Sequence, residues 1–234
     1  MQMSVRQATR YVGVDEETLH RWIRERGLPA HRVNERLHLN AIELWEWATE
    51  NGIPVSRELL EQEREAPEGI PPLSVMLEAG GIHHDVGGSD KASVLREVVG
   101  RLPLPPEVDR DFVTAVLEAR EAMGSTGIGG GIAIPHVRNP ILLQVGRPLV
   151  ALCLLRHPVP FEAIDGLPVH ALFTVVSSTV PAHLRILARL GYVLRDGELR
   201  GLLERRAPAQ AILRRVAQLE SKLGGEAGPQ GTGR

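Results

Sequence analysis

Apolar positions recur at helical spacing in three short runs between Ser4 and Gly52. Each run opens on a side chain that caps a helix start and closes on a glycine that ends it. Ser4 precedes Val5, Ala8 and Val12, with Gly13 as the stop; Asp15 precedes Leu19, Trp22 and Ile23, with Gly27 as the stop. Asn40 precedes Ala41, Leu44, Trp45 and Ala48, all expected to face inward, and Gly52 follows. The outward side of the second run carries His20, Arg21, Arg24 and Glu25. Between the second and third runs, residues 30–33 and 36–39 alternate around Asn34-Glu35, which predicts a β-hairpin. Residues 1–54 therefore form a compact unit, and residues 55–72 read as a linker: a polar helix over 56–65, then Pro67, Gly69, Pro71 and Pro72.

The pattern changes from Leu73 onward. Ser93–Val99 and Glu107–Met123 have helical spacing, the second with Phe112, Val113, Val116 and Leu117 inward. Pro148–Leu155 and Val169–Val176 are continuous apolar runs, the signature of strands buried on both faces. Three helices follow, over Pro181–Leu194, Gly197–Arg205 and Pro208–Leu223. Interleaved helices and buried strands make residues 73–223 an α/β unit. Residues 224–234 are rich in glycine and poor in apolar side chains, which predicts a disordered tail.

Composition adds limits. The 234 residues are 43% apolar and 24% charged, enough for a packed core. No apolar run approaches a membrane span, and the first residues lack the apolar core of a signal peptide, so the expected location is the cytoplasm, away from membranes. The one cysteine, Cys153, falls inside an apolar run and reads as a small buried hydrophobe. Net charge is −2, so affinity for nucleic acid has to come from local clustering. From Arg21 to Arg36 five arginines face two glutamates.

Candidate chemistry centres on residues 120–136, where an arginine at a helix end leads through five glycines to Ile134-Pro135-His136. Glycines this dense permit close backbone approach, and their amides can be aimed at an anion. Arg120 follows Val113 by seven and Val116 by four, which puts a permanent cation on the buried side of its helix. His183 lies in the first turn of a helix that Thr179 caps, with Pro181 early in it, and precedes Leu187 by four. A helix start favours negative charge, so Arg120, His136 and His183 are candidates to meet at one anion. Ordinary alternatives are a salt bridge for Arg120 and a satisfied core histidine for His183.

Other chemistries fit poorly. No Gly-Lys-Ser/Thr follows the glycines, so the loop is not a nucleotide P-loop. His83, His84 and Asp85 lack metal-site spacing, and no metal or cofactor is expected. Ser125, His136 and Asp165 lack a nucleophile elbow.

The first fifty residues resemble excisionase and MerR-like helix-turn-helix domains. The resemblance is carried by Val5–Ala8, Gly13-Val14, Thr18–Arg24 and Gly27–Ala30. It implies a winged DNA reader in which His20, Arg21 and Arg24 approach a groove and Arg32 and Arg36 contact phosphates. So small a footprint implies a homodimer or a second anchor.

The segment Met123–His136 resembles the active-site signature of phosphotransferase-system enzyme IIA domains of the fructose/mannitol and nitrogen-regulatory type. Leu104–Pro106, Ala119–Glu121 and Val159–Pro168 extend the likeness over about 150 residues, from Leu73 to Lys222. It implies a mixed β-sheet flanked by helices on both faces. It also implies that His136 accepts a phosphoryl group from an HPr-type phosphocarrier, with His183 and Arg120 around the phosphate. The loop residues Ser125, Thr126, Gly127, Gly129 and Gly130 would hold its oxygens, and open surface around His136 would admit the donor. Val137-Arg138 stands where many carriers have glycine after the histidine. Joined to the DNA reader, this implies a phosphorylation-responsive regulator, a phosphohistidine acceptor rather than a turnover enzyme. The alternatives are a plain phosphoryl carrier of a sugar or nitrogen system, whose N-terminal unit docks proteins, and a binding protein that keeps the fold without the relay.

Overall fold

The computed structural model describes residues 2–33, 36–53, 70–137, 147–177 and 179–225. The hairpin turn Asn34-Glu35, the expected linker helix over 56–65, Arg138, and the tail beyond Gly225 lie outside the described residues. So do the side chains of Arg32 and Arg36.

The first unit begins with β1 (Gln2–Ser4) and α1 (Val5–Val12). Ser4 accepts from the Gln7 amide while Gln7 returns a bond to the Ser4 amide, a capping box, and Gly13 closes the helix at φ 67°. Helix α2 (Glu16–Glu25) is capped by Asp15 through the Thr18 amide. Strands β2 (His31–Val33) and β3 (Arg36–Asn40) form the expected antiparallel hairpin, and β1 pairs with the far side of β3. The wing is thus three-stranded; Gln2–Ser4 is too short for its alternation to be read in the sequence. Asn40 then caps α3 (Ala41–Glu50).

Helix α3 is unusual. Ala41, Ile42, Leu44, Trp45, Trp47 and Ala48 are all buried, so its apolar positions circle the helix. A helix apolar on every side needs packing partners on every side. On one side Trp47 meets Trp22 of α2, ring centroids 5.2 Å apart, and its indole N–H donates to the Arg26 carbonyl. The other side rests on the second unit. Trp45, expected in the inner face of the small unit, instead turns its ring to His136.

The second unit opens with α4 (Leu73–Gly80) and β4 (Ile82–Val86), followed by α5 (Lys91–Arg101) and α6 (Arg110–Ala122). Asp109 caps α6, so the helix begins three residues later than the apolar spacing suggested. Phe112, expected inward, is 45% exposed, because the buried stripe runs through Val113, Thr114, Leu117 and Arg120. Next come β5 (Gly127–Gly129), β6 (Ile132–Ala133), β7 (Leu149–Val159) and β8 (Val169–Val176). Helices α7 (Val180–Val193), α8 (Gly197–Glu204) and α9 (Ala209–Gly225) complete the unit.

The five strands lie in the order β4-β7-β8-β6-β5, parallel at β4–β7 and β6–β8 and antiparallel at β7–β8 and β5–β6. Alternate residues of β7 serve opposite layers. Val150, Leu152 and Leu154 join the core that contains Leu184 and Leu187 of α7, whereas Leu149 and Ala151 join Leu95, Val99, Val113 and Leu117 of α5 and α6. Both faces are therefore covered, and the strand reads as unbroken apolar sequence. Cys153 is fully buried on this strand, and burial pushes its thiol up to about 12, so it stays protonated and unreactive at neutral pH. Gly80 ends α4 against the β7 backbone; a Cβ there would sit 2.3 Å from the Val150 carbonyl oxygen, so only glycine allows this approach.

The α7-side core does not stop at the second unit. It continues without a break through Trp45, Leu44 and Trp47 into the helix-turn-helix core, and α3 packs directly on α7. This shared core brings the N-terminal unit over the site.

Candidate functional site beneath helix α3

His136 follows β6 and is fixed by β8: it bridges to Val175, whose amide donates to the Pro135 carbonyl. Its Nδ1 lies 2.8 Å from the Ile134 carbonyl oxygen. A carbonyl can only accept, so Nδ1 carries a proton and Nε2 is the nitrogen on which a reactive lone pair has to be exposed.

Helix α7 starts directly after β8. Thr179 accepts from the Ala182 amide, Pro181 occupies the first turn, and His183 points inward, fully buried. Ser177 Oγ lies 3.0 Å from His183 Nδ1, and the two imidazole centroids are 5.2 Å apart. His183 Nε2 is buried with no hydrogen-bond partner. Burial, reinforced by His136 and opposed by Glu46, holds His183 well below the usual imidazole range, so the ring stays neutral.

This has a consequence for stability. The unfolded chain protonates this imidazole near pH 6.5 while the folded chain does not, so the unfolded state binds more protons below that pH. Stability falls as pH drops through that window, by about 1.4 kcal/mol per pH unit from this one group. Urea unfolding at several pH values checks it. His183→Asn, which can keep a hydrogen bond to Ser177, is expected to show a slope shallower by about that amount.

Arg120 comes from the last turn of α6. It is 4% exposed, and its Nη1 donates to the Gly124 carbonyl at 2.8 Å. Its Nε donates to Glu46 Oε1 of α3 at 2.6 Å, and the same oxygen lies 3.0 Å from His136 Nε2. Arg120, His136 and His183 therefore do converge, and a carboxylate from the N-terminal unit completes the cluster. The arginine and glutamate side chains are each 5% exposed, so the pair is shielded from water and salt.

The glycine loop departs from expectation. Gly129, Gly130 and Gly131 take successive φ values of 87°, 64° and 71°, which turns the chain between antiparallel β5 and β6. The run is thus a tight hairpin, and no L side chain adopts three such residues in a row without strain. The Gly130 amide donates to Asp165, and neither Gly129 nor Gly130 lines the space at His136. Ser125, Thr126 and Gly127 do line it, but both hydroxyls and the Thr126 and Gly127 amides are already engaged. The Thr126 amide and hydroxyl both donate to Glu121, the Gly127 amide donates to Ser125 Oγ, and the Ser125 hydroxyl donates to the Phe161 carbonyl.

Nor is the surface around His136 open. The ring is 1% exposed. Trp45 stands edge-on to it at 6.0 Å, and α3 covers it with Trp45, Glu46 and Thr49. The space left between α3 and the sheet is about 20 Å³, room for one water molecule.

Comparison with known proteins decides the family. Residues 76–218 match the family described as "Phosphoenolpyruvate-dependent sugar phosphotransferase system, EIIA 2". The chain belongs to that family. Residues 3–52 match the family described as "Helix-turn-helix domain". The EIIA region is 33% identical over 152 residues to a "Nitrogen regulatory protein" of Pseudomonas aeruginosa, covering 64% of this chain and 97% of the relative. It is 39% identical over 100 residues to the "Nitrogen regulatory protein" of Escherichia coli, covering 41% and 56%. Among solved structures, the nitrogen regulatory protein IIA-Ntr of Neisseria meningitidis superposes with a TM-score of 0.54 at 28% identity, covering 61% of this chain and 97% of that one. The IIA mannitol structure of Escherichia coli superposes at 0.50 with 18% identity over 59% and 96%, a likeness of fold alone. These matches account for the mixed sheet with helices on both faces.

Elsewhere, the described residues contain no cluster of three or more potential metal ligands, and no helix among them is long and apolar enough to cross a membrane. In the helix-turn-helix domain Arg21 and Arg24 of α2 are exposed and His20 is half-buried. Arg26 turns away to stack on Trp22 and Trp47. Glu46 is the site residue that sequence reasoning missed. The available signal was α3 itself: too apolar for the inner face of a fifty-residue unit, with one carboxylate in the middle of the apolar girdle.

Proposed function

We propose that His136 accepts a phosphoryl group at Nε2 from an HPr-type phosphocarrier, and that the N-terminal domain binds DNA, making the chain a phosphorylation-responsive regulator. The observation that carries this is that Arg120 Nε and His136 Nε2 meet at one carboxylate oxygen, with the His183 ring 5.2 Å from that of His136 and Nδ1 already committed to Ile134.

The Nε2 lone pair forms a bond to phosphorus as the donor's own N–P bond breaks, in line. A donor phosphohistidine protonated on its second nitrogen leaves as neutral imidazole. His136 then takes over the same state, with phosphorus on Nε2 and the proton on Nδ1 against Ile134. Arg120 balances the charge on the equatorial oxygens, so the protein contributes positioning and electrostatics. Neutral His183, accepting from Ser177 at Nδ1, presents the Nε2–H that now lacks a partner to a phosphoryl oxygen. On the DNA side, exposed Arg21 and Arg24 supply the cations that a groove requires, with Arg32 and Arg36 on the wing strands.

The test is to incubate the full chain with a phosphorylated HPr-type carrier, map the product by mass spectrometry without acid, and measure DNA affinity before and after at fixed salt. Acid-labile label on His136 with a changed DNA affinity is expected. Label passed on to a permease domain with DNA affinity unaltered would favour the plain carrier.

A further inference from the structure

The phosphoryl reading, on which the following rests, has an obstacle: the acceptor ring is covered by the protein's own helix-turn-helix domain. We propose that α3 is an autoinhibitory cap whose Glu46 carboxylate takes the place of the phosphoryl group on His136, so that docking of the N-terminal domain and phosphorylation of His136 exclude one another.

Three observations support this. Glu46 Oε1 makes the two contacts that a phosphoryl oxygen would make, 2.6 Å from Arg120 Nε and 3.0 Å from His136 Nε2. It is an anion held by the same cation and against the same nucleophilic nitrogen. Secondly, both His136 nitrogens face oxygens in the docked form, Nδ1 the Ile134 carbonyl and Nε2 the carboxylate. A proton shared between Nε2 and Oε1 satisfies that contact and takes up the lone pair that attack requires. Thirdly, the residual space is about 20 Å³, whereas transfer requires the donor's ring nitrogen and a phosphorus in line with Nε2, at separations of about 3–3.5 Å before reaction. Neither the donor nor the phosphorylated product fits while Trp45 and Glu46 are seated.

The cap belongs to the DNA reader. Trp47, the residue next to Glu46, is part of the helix-turn-helix core through Trp22 and the Arg26 carbonyl, so lifting Glu46 from the site moves α2 with it. In the docked form Arg21 and Arg24 remain exposed. The switch therefore does not cover the reading helix. It decides whether that helix is fixed on the EIIA domain or released from it, while a phosphoryl group bearing about −1.5 to −2 charges repels the carboxylate it replaced.

The experiment uses the full chain with an excess of phosphorylated HPr-type carrier and compares wild type, Glu46→Ala, Glu46→Gln and the control Glu43→Gln. Label uptake at His136 is followed alongside small-angle scattering of each protein. Glu46→Ala and Glu46→Gln are expected to take up label roughly 10²-fold faster, the scale of losing one buried charge partner, and to be more extended than wild type. Glu43→Gln should match wild type, and phosphorylated wild type should scatter like unphosphorylated Glu46→Ala. Equal uptake by all four proteins, with label on His136, would overturn the cap and leave the phosphoryl reading standing. No uptake by any of them, with the Glu46 variants extended, would remove the phosphoryl reading and reduce the Glu46 contact to structural docking.

Discussion

His136→Gln is expected to abolish acid-labile phosphorylation of the chain while leaving the docked arrangement in place. The substitution is chosen for what it keeps. A glutamine amide at this position still donates toward Glu46, replacing the Nε2 contact at 3.0 Å, but it offers no lone pair able to attack phosphorus. The alternative acceptor in the site, His183, is fully buried, and its Nδ1 is engaged by Ser177. Label should therefore disappear rather than migrate. The measurement is phosphoryl incorporation under conditions where wild type or Glu46→Gln is fully labelled, with thermal unfolding as the check on folding. Persistent label in His136→Gln would place the acceptor elsewhere.

How much of this was legible in the sequence depends on the range of each contact. Caps are local, so Ser4, Asp15, Asn40 and Thr179 are used as their neighbours require. The strand Val169–Val176 coincides with its apolar run, because both faces of the sheet are covered. Strand β4 was not legible. It lies at the sheet edge, its Ile-His-His-Asp-Val sequence is largely polar, and its register with β7 shifts between His83 and Val86.

Within the site, periodicity correctly turned Arg120 and His183 inward. The glycine run reads in sequence as a loop that holds phosphate oxygens, whereas its use as a β5–β6 hairpin depends on strand pairing that local composition does not encode. Glu46 was the least accessible feature, because its partners lie 74 and 90 residues away. Only the excess of apolar side chains on α3 pointed to a second contact surface, without identifying it.

Arg120→Met carries the second large expected effect, and its size separates chemistry from docking. The guanidinium has two roles here. In the proposed transfer it supplies charge to the phosphoryl group, where losing one such donor costs about 10²–10³-fold in rate. It also holds Glu46 over the site, where removing one partner of a buried pair leaves the other carboxylate uncompensated, at about 3–5 kcal/mol. In otherwise wild-type protein these effects oppose one another, because loosening the cap raises access to His136 while the missing charge slows transfer. In the Glu46→Gln background the cap is already weakened, so Arg120→Met should show the transfer penalty nearly undiluted. The ratio of the two effects is then a double-mutant cycle for the contact between the cap and its anion site. A smaller rate loss in wild type than in Glu46→Gln is the expected sign. Equal losses in the two backgrounds would mean that Arg120 contributes to transfer alone, and that the carboxylate above His136 is held by the packing of α3 on α7 rather than by the guanidinium.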